Sequence, residues 1–225
     1  MYSEKHTTTH ITAAESFMGK VPSVAPVAKM GPNGIIQTFN AIASQFGENA
    51  AQQALLTAGL QKYIAERPHE MVDEREFHRL VHSVCEHFDE DARNAILLNA
   101  GERTAHYLLQ ARIPKLFQLL LKGLPTRWAA KLLLWSIAKH AWTFAGSGEF
   151  SYQVHSGIEA TILVRESTHY EVALFFGGAL QTLFQTLFKD PTDFNIQVVP
   201  SNQALLCRYS AQIITHHSNL EQQCA

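Results

Sequence analysis

Histidine is the side chain to test first for metal chemistry, because the chain carries 12 of them in 225 residues. The densest group is His78, His82 and His87. His78 and His82 are four apart and share one helix face, the spacing that zinc enzymes use, whereas His87 lies about 140° away from His82 and does not converge with them. With no third ligand in the local sequence, the pair reads as the polar edge of a helix, and no metal is assigned. His6 and His10 near the start and His216-His217 near the end read as solvated side chains. Cys85, Cys207 and Cys224 are spaced too widely for a disulfide framework or a CxxC site, which fits a reducing compartment. There is no GxSxG, no G-x-G-x-x-G after a strand and no GxxxxGK[ST]. No catalytic residue is therefore assigned, and the chain is expected to bring no redox cofactor of its own.

The more informative chemistry is cationic and aromatic. Between Arg103 and Gly148 the chain carries Arg103, Arg112, Lys115, Lys122, Arg127, Lys131 and Lys139 without a single Asp or Glu, and Leu, Phe and Trp fill the intervals. An apolar helical surface punctuated only by positive charge suits an amphipathic anion, a flat or long hydrophobic body with carboxylates at one edge. Acidic membrane lipid satisfies it too. Lys and Arg snorkelling from core-packed helices would leave the same pattern. At the end of this stretch His140 lies among Trp135, Trp142 and Phe144. A neutral imidazole can give the fifth ligand to the magnesium of a tetrapyrrole while aromatic rings stack on the macrocycle; a hydrogen-bonded core histidine is the plainer alternative.

The elements that must position these groups follow from periodicity. Helical spacing runs from Ile35 to Phe46, from Asn49 to Ala65, from an N-cap at Asp73 to about Asp89, and from Asp91 to Gln110. Pro114 opens a short Leu-rich helix closed by Gly123 and Pro125, and Thr126–Phe144 is a further helix, apolar almost all round and so expected between layers or against a ligand. At Gly146-Ser147-Gly148 the period changes to two. Phe150–Val154 and Ile158–Val164 make a hairpin, Tyr170–Phe188 a helix, and Asn195–Val199 with Ala204–Tyr209 a second hairpin around Pro200-Ser201-Asn202. Gly177-Gly178 inside the last helix marks a close approach, either of the sheet or of a bound flat ligand. Hairpin-joined strands give an antiparallel sheet with helices packed on it, an α+β fold. The expected organisation is a flexible arm over 1–30, one ligand-binding domain over 31–213 and a tail over 214–225.

A hydrophobic fraction of 46% with 17% charged residues supports one sizeable core. A net charge of −2 gives no general reason to expect nucleic acid. Met1–Thr12 has no apolar run of the signal-peptide kind, and no uninterrupted apolar stretch reaches the ~18 residues of a membrane span. The expected location is cytoplasmic, with any contact at the inner membrane peripheral.

The runs Asn99-Ala100-Gly101-Glu102-Arg103-Thr104-Ala105-His106-Tyr107-Leu108-Leu109, Arg112-Ile113-Pro114 and Lys139-His140-Ala141-Trp142-Thr143-Phe144-Ala145-Gly146-Ser147-Gly148 resemble the BchJ proteins of purple bacterial bacteriochlorophyll synthesis, within the 4-vinyl reductase domain family. The resemblance implies an α+β ligand-binding fold shared with Golgi-transport tethering subunits and haem nitric-oxide sensors, a pocket between helices and sheet, and a homodimer. It implies a pathway ligand, a Mg-porphyrin or protochlorophyllide intermediate, passed between enzymes such as magnesium chelatase and the Mg-protoporphyrin methyltransferase. The family name implies instead reduction of the 8-vinyl group of divinyl protochlorophyllide. On this reading His140 is the axial ligand or hydrogen-bond donor, Trp135, Trp142 and Phe144 are stacking surfaces, and Arg103, Arg112 and Lys115 meet propionates. The chain departs from the many relatives that carry a C-terminal cysteine cluster, having only Cys207 and Cys224 there.

Overall fold

Alternating side chains build the sheet first. In a computed structural model that describes residues 27–189, 194–201 and 204–213, strands β3 (Glu149–Val154) and β4 (Gly157–Val164) form one hairpin, and β5 (Asn195–Ser201) and β6 (Ala204–Gln212) the other. The two hairpins join through β4 and β6 into one antiparallel sheet of order β3-β4-β6-β5. The register sets Ile158 opposite Ala211, Ala160 opposite Tyr209, Ile162 opposite Cys207 and Val164 opposite Leu205, and all eight are buried. With a period of two on both strands, that register gathers these eight side chains on one face.

Helix α8 (Val172–Leu187) lies on this face and is itself covered by α5 (Glu90–Tyr107). A helix enclosed on two sides must be apolar all round, and Val172, Phe175, Phe176, Leu180, Leu183, Phe184 and Leu187 are all buried. The two glycines make both contacts possible. A Cβ on Gly177 would collide with Ile196 of the sheet, and one on Gly178 would collide with the Leu98 carbonyl of α5. From the other side, a Cβ on Gly101 would strike the Phe175 carbonyl. Close approach of the sheet and of α5 therefore accounts for Gly177-Gly178. Tyr209 fastens the layers, its buried hydroxyl donating to the Ala173 carbonyl at 2.9 Å.

Outside α5 lie α1 (Asn33–Phe46), α2 (Glu48–Thr57) and α4 (Glu74–His87). Asp73 caps α4 as expected, accepting from the Arg75 backbone N–H at 2.9 Å, and Asp89 caps α5 in the same way through Ala92. The helix expected over Asn49–Ala65 is instead broken. Gly59, at φ +69°, ends α2 after a turn at Ala58, and α3 is the short Lys62–Ala65. After Tyr107 the helix widens into a π turn, Leu108–Arg112, where the buried Gln118 amide donates to the carbonyls of Leu109 at 2.6 Å and Ile113 at 2.8 Å. Pro114 then opens α6 (Lys115–Gly123), and α7 (Thr126–Lys139) follows. The helix expected to reach Phe144 stops at Lys139, and Ala141–Thr143 forms a 3-10 turn. Strand β1 (Lys29–Met30) pairs with β2 (Val72–Asp73), so regular structure starts two residues before Gly31. His6, His10, His216, His217, Cys224, the arm over 1–26, the tail over 214–225 and Asn202 lie outside the described residues. Among the described residues no helix is long and apolar enough to cross a membrane.

Candidate functional site: an aromatic and cationic face on α6 and α7

Helix α7 packs on β3 and β4 with one side only, burying Ala129, Ala130, Leu133 and Leu134. Of the two surroundings expected for it, enclosure between layers is therefore not what is found, and the tryptophan side is open. Trp128 is 62% exposed and Trp135 53%, and Trp142 just beyond the helix is 63% exposed. Trp128, Lys131, Trp135 and Lys139 follow one another at intervals of three and four, which places them along a single stripe. The Lys131 ammonium lies 5.5 Å from the Trp128 ring and that of Lys139 5.7 Å from the Trp135 ring, so each cation rides on an aromatic face. Helix α6 turns Leu116, 82% exposed, together with Leu119 and Leu120, to solvent and buries Gln118 and Leu121. These are large apolar groups in water beside positive charge that forms no ion pair among the described residues, the composition of a surface that meets something else.

His140 caps the end of α7. Its Nδ1 stands 2.9 Å from the Ser136 carbonyl. A carbonyl only accepts, so Nδ1 carries the proton and Nε2 keeps its lone pair on an exposed ring. The turn that follows is fixed from three directions. Gly31 N–H donates to the Thr143 carbonyl at 2.7 Å, and the Thr143 hydroxyl donates to the His140 carbonyl at 2.8 Å. The buried Glu74 carboxylate at the start of α4 accepts the Ser147 backbone N–H at 2.7 Å. Gly146 sits at φ +57° directly against that carboxylate, where a Cβ would collide with it, and a Cβ on Gly148 would collide with the Leu163 carbonyl. The Gly146-Ser147-Gly148 sequence is thus the complement of Glu74 and of β4.

The expected ligand residues fall on separate stretches. Trp135, His140 and Trp142 are consecutive along α7 and its 3-10 turn. Phe144 packs inward, its ring centroid 5.7 Å from Phe150 and 6.2 Å from Phe176, so it supports the turn from the core side. The Arg103 guanidinium is engaged by Asn99 at 2.8 Å and by Ser44 of α1 at 2.9 Å. Arg112 donates to the Tyr107 hydroxyl at 3.2 Å, and Lys115 is exposed at the start of α6. No hydrogen bond or ring contact links Arg103, Arg112 or Lys115 to His140 among the described residues. Sequence reasoning passed over Glu74 and the pairing of Lys131 and Lys139 with the tryptophans. The alternation of Trp and Lys at helical spacing was legible; the reach of Glu74 across the fold was not.

The histidines of α4 separate. His78 is buried with no partner for Nδ1, and burial pushes its pKa down to about 4. His82 meets His169 from the loop before α8, Nδ1 to Nε2 at 2.7 Å, and His87 turns back to the Ser83 carbonyl and to Thr57. A shallow depression of about 350 Å³ opens beside Arg79, His78, His82 and His169.

Two bacterial proteins share this sequence pattern. The bacteriochlorophyll synthase 23 kDa chain of Cereibacter sphaeroides is 36% identical over 140 residues, which cover 62% of this chain and 66% of that one. Its counterpart in Rhodobacter capsulatus is 32% identical over 122 residues, 54% of this chain and 56% of that one. The chain is similar to these BchJ-type 23 kDa chains. The matches span less than two thirds of either relative, whose names point to bacteriochlorophyll synthesis. No family model matches the chain. Among solved structures, an H-NOX protein from work on haem distortion superposes with TM-score 0.57 at 13% identity over 82% of this chain and 95% of its own. The Fe(II) unliganded H-NOX protein of K. algicida gives 0.55 at 12% over 84% and 100%. The fold expected from the sequence, helices on an antiparallel sheet of two hairpins as in haem sensors, is the fold found. Where the glycines bring α8 onto the sheet and onto α5, the interior is filled by the protein's own packing.

Proposed function

We propose that the chain holds a Mg-porphyrin or protochlorophyllide intermediate of bacteriochlorophyll synthesis on the α7 face and passes it between pathway enzymes. The observation that carries this reading is His140, whose Nδ1 is tied to Ser136 while Nε2 has no hydrogen bond among the described residues, two positions before the exposed Trp142. An imidazole fixed in that tautomer is a ready ligand for the pigment's magnesium. Trp135 and Trp142 supply flat apolar surface for the macrocycle, and Lys131 and Lys139 supply charge for propionates. Arg112 and Lys115 extend the cationic border, and Arg103 would have to leave Asn99 and Ser44 to join it. The relatives' names and the haem proteins of like fold support a tetrapyrrole as the ligand class.

An open seat suits delivery better than storage, because release needs no helix to unpack. Magnesium chelatase as donor and the Mg-protoporphyrin methyltransferase as acceptor are the exchanges this reading favours, and the exposed leucines of α6 suit peripheral contact with anionic lipid during the transfer. Titration of the purified chain with Mg-protoporphyrin and with divinyl protochlorophyllide, followed by absorption and fluorescence before and after adding NADPH, tests it. Saturable binding with no product supports the carrier. A monovinyl product spectrum replaces it with a reductase, and absence of binding leaves a docking module.

A further inference from the structure

The seam between α4 and the start of α8 contains a second group of ligating atoms, far in sequence from His140. Cys85 on α4, His169 in the loop before α8 and Glu171 at the α8 N-cap each offer one donor atom, and these atoms lie within 4.8 Å of one another. Glu171 is only 2% exposed. Its Oε1 lies 2.7 Å from Arg93 Nε, while its buried Oε2, near the Cys85 thiol, makes no hydrogen bond of ordinary geometry. A buried carboxylate oxygen left without such a bond is costly and calls for an explanation.

Hydrogen-bond directions around His169 give one. Glu86 Oε1 lies 3.2 Å from His82 Nε2, a contact in which the carboxylate can only accept, so in a neutral His82 ring the proton sits on Nε2 and Nδ1 is a lone pair. His169 Nε2, 2.7 Å from that Nδ1, must then be the donor. In a neutral ring this leaves His169 Nδ1 as a lone pair, and it faces Glu171 Oε2 at 3.9 Å. Two lone pairs confront each other across a gap with the Cys85 sulfur beside it. A cation between them satisfies all three.

We propose that Cys85, His169 and Glu171 bind a divalent transition metal of the zinc type, with His82 and Glu86 orienting His169 from behind. Sulfur, imidazole and carboxylate together suit Zn²⁺ over Mg²⁺ or Ca²⁺, which prefer oxygen alone. Bond lengths near 2.0–2.3 Å require the donors to draw in by roughly 1 Å, within reach of side-chain rotation. Binding replaces the Cys85 S–H bond with a metal–sulfur bond and releases the proton to solvent. Three protein ligands leave the fourth position to water. The metal would tie the loop between β4 and α8 to α4.

Cobalt(II) is the probe. Full-length protein stripped by chelator and titrated with Co²⁺ is expected to develop tetrahedral visible bands and a near-ultraviolet thiolate charge-transfer band, saturating at one equivalent and displaced by Zn²⁺. Cys85→Ser should abolish the charge-transfer band, and His169→Ala, in a partly exposed loop, should weaken binding at least 10-fold. His82→Ala should keep the band and weaken binding about 10-fold, as loss of an orienting partner does. Failure to bind Co²⁺, binding without a thiolate band, or a band that survives in a folded Cys85→Ser protein would overturn the proposal.

Discussion

The α4–α8 seam and the α6–α7 face invert the usual partition in opposite senses. In the seam, His78 and Glu171 are buried with unpartnered atoms; on the face, Leu116, Trp128, Trp135 and Trp142 stand in water. Ordinary folding energetics would reverse both arrangements, since burying an unpaired polar atom costs stability and exposing apolar area forgoes it. The seam is tolerated because tight helix packing surrounds it. The face is tolerated because nothing in the fold depends on it. Substitutions in the seam should therefore act on stability, and substitutions on the face on binding.

The largest effect is expected at Gly101, where any side chain meets the Phe175 carbonyl. Gly101→Val should destabilise by about 3–5 kcal/mol in urea unfolding, whereas Leu116→Ser on the face should change stability by less than ~0.5 kcal/mol. Equal effects at the two positions would erase the contrast. His78 sharpens it through pH. Its folded pKa is about 4 against 6.5 for an ordinary histidine, so between these values the unfolded chain binds the extra proton. Its contribution is full above pH ~6.5 and is lost as pH falls, in all about 3 kcal/mol by pH ~4. The stability difference between wild type and His78→Leu measured at pH 7 and at pH 5 should shift in favour of the variant at the lower pH; a constant difference would show that His78 is not held neutral.

Glu74 joins the two regions, since it belongs to α4 but fixes the turn that carries Trp142. Glu74→Ala should cost about 1–3 kcal/mol through the unsatisfied Ser147 N–H, and amide exchange of Ser147 should rise more than that of α5. Uniform exchange across both would deny Glu74 this role. Smallest in stability is Lys131→Glu with Lys139→Glu. The melting temperature should stay within about 2 °C while pigment affinity falls several-fold and loses its salt dependence. Unaltered affinity would remove the propionate contacts from the account.

Most of the elements that carry this contrast were legible in the sequence. Period-two and helical patterns placed both hairpins and the capped start of α4, because those signals are local. The break at Gly59 and the stop at Lys139 were missed since an apolar pattern continues through both, and only backbone conformation separates the pieces. Exposure of the tryptophans was left open for a related reason. A helix apolar all round can be enclosed, as α8 is, or half enclosed with a binding face, as α7 is, and periodicity does not distinguish them. The Cys85–His169–Glu171 group joins α4 to the start of α8 across more than 80 residues, which no spacing rule could anticipate.

The central claim is that His140 Nε2 meets the pigment. The direct test is the absorption spectrum of Mg-protoporphyrin bound to wild type and to His140→Ala, each with and without imidazole. The account predicts a Soret band displaced from that of the free pigment in wild type, lost in the variant and restored by imidazole. The same displaced band in both proteins without imidazole would contradict it.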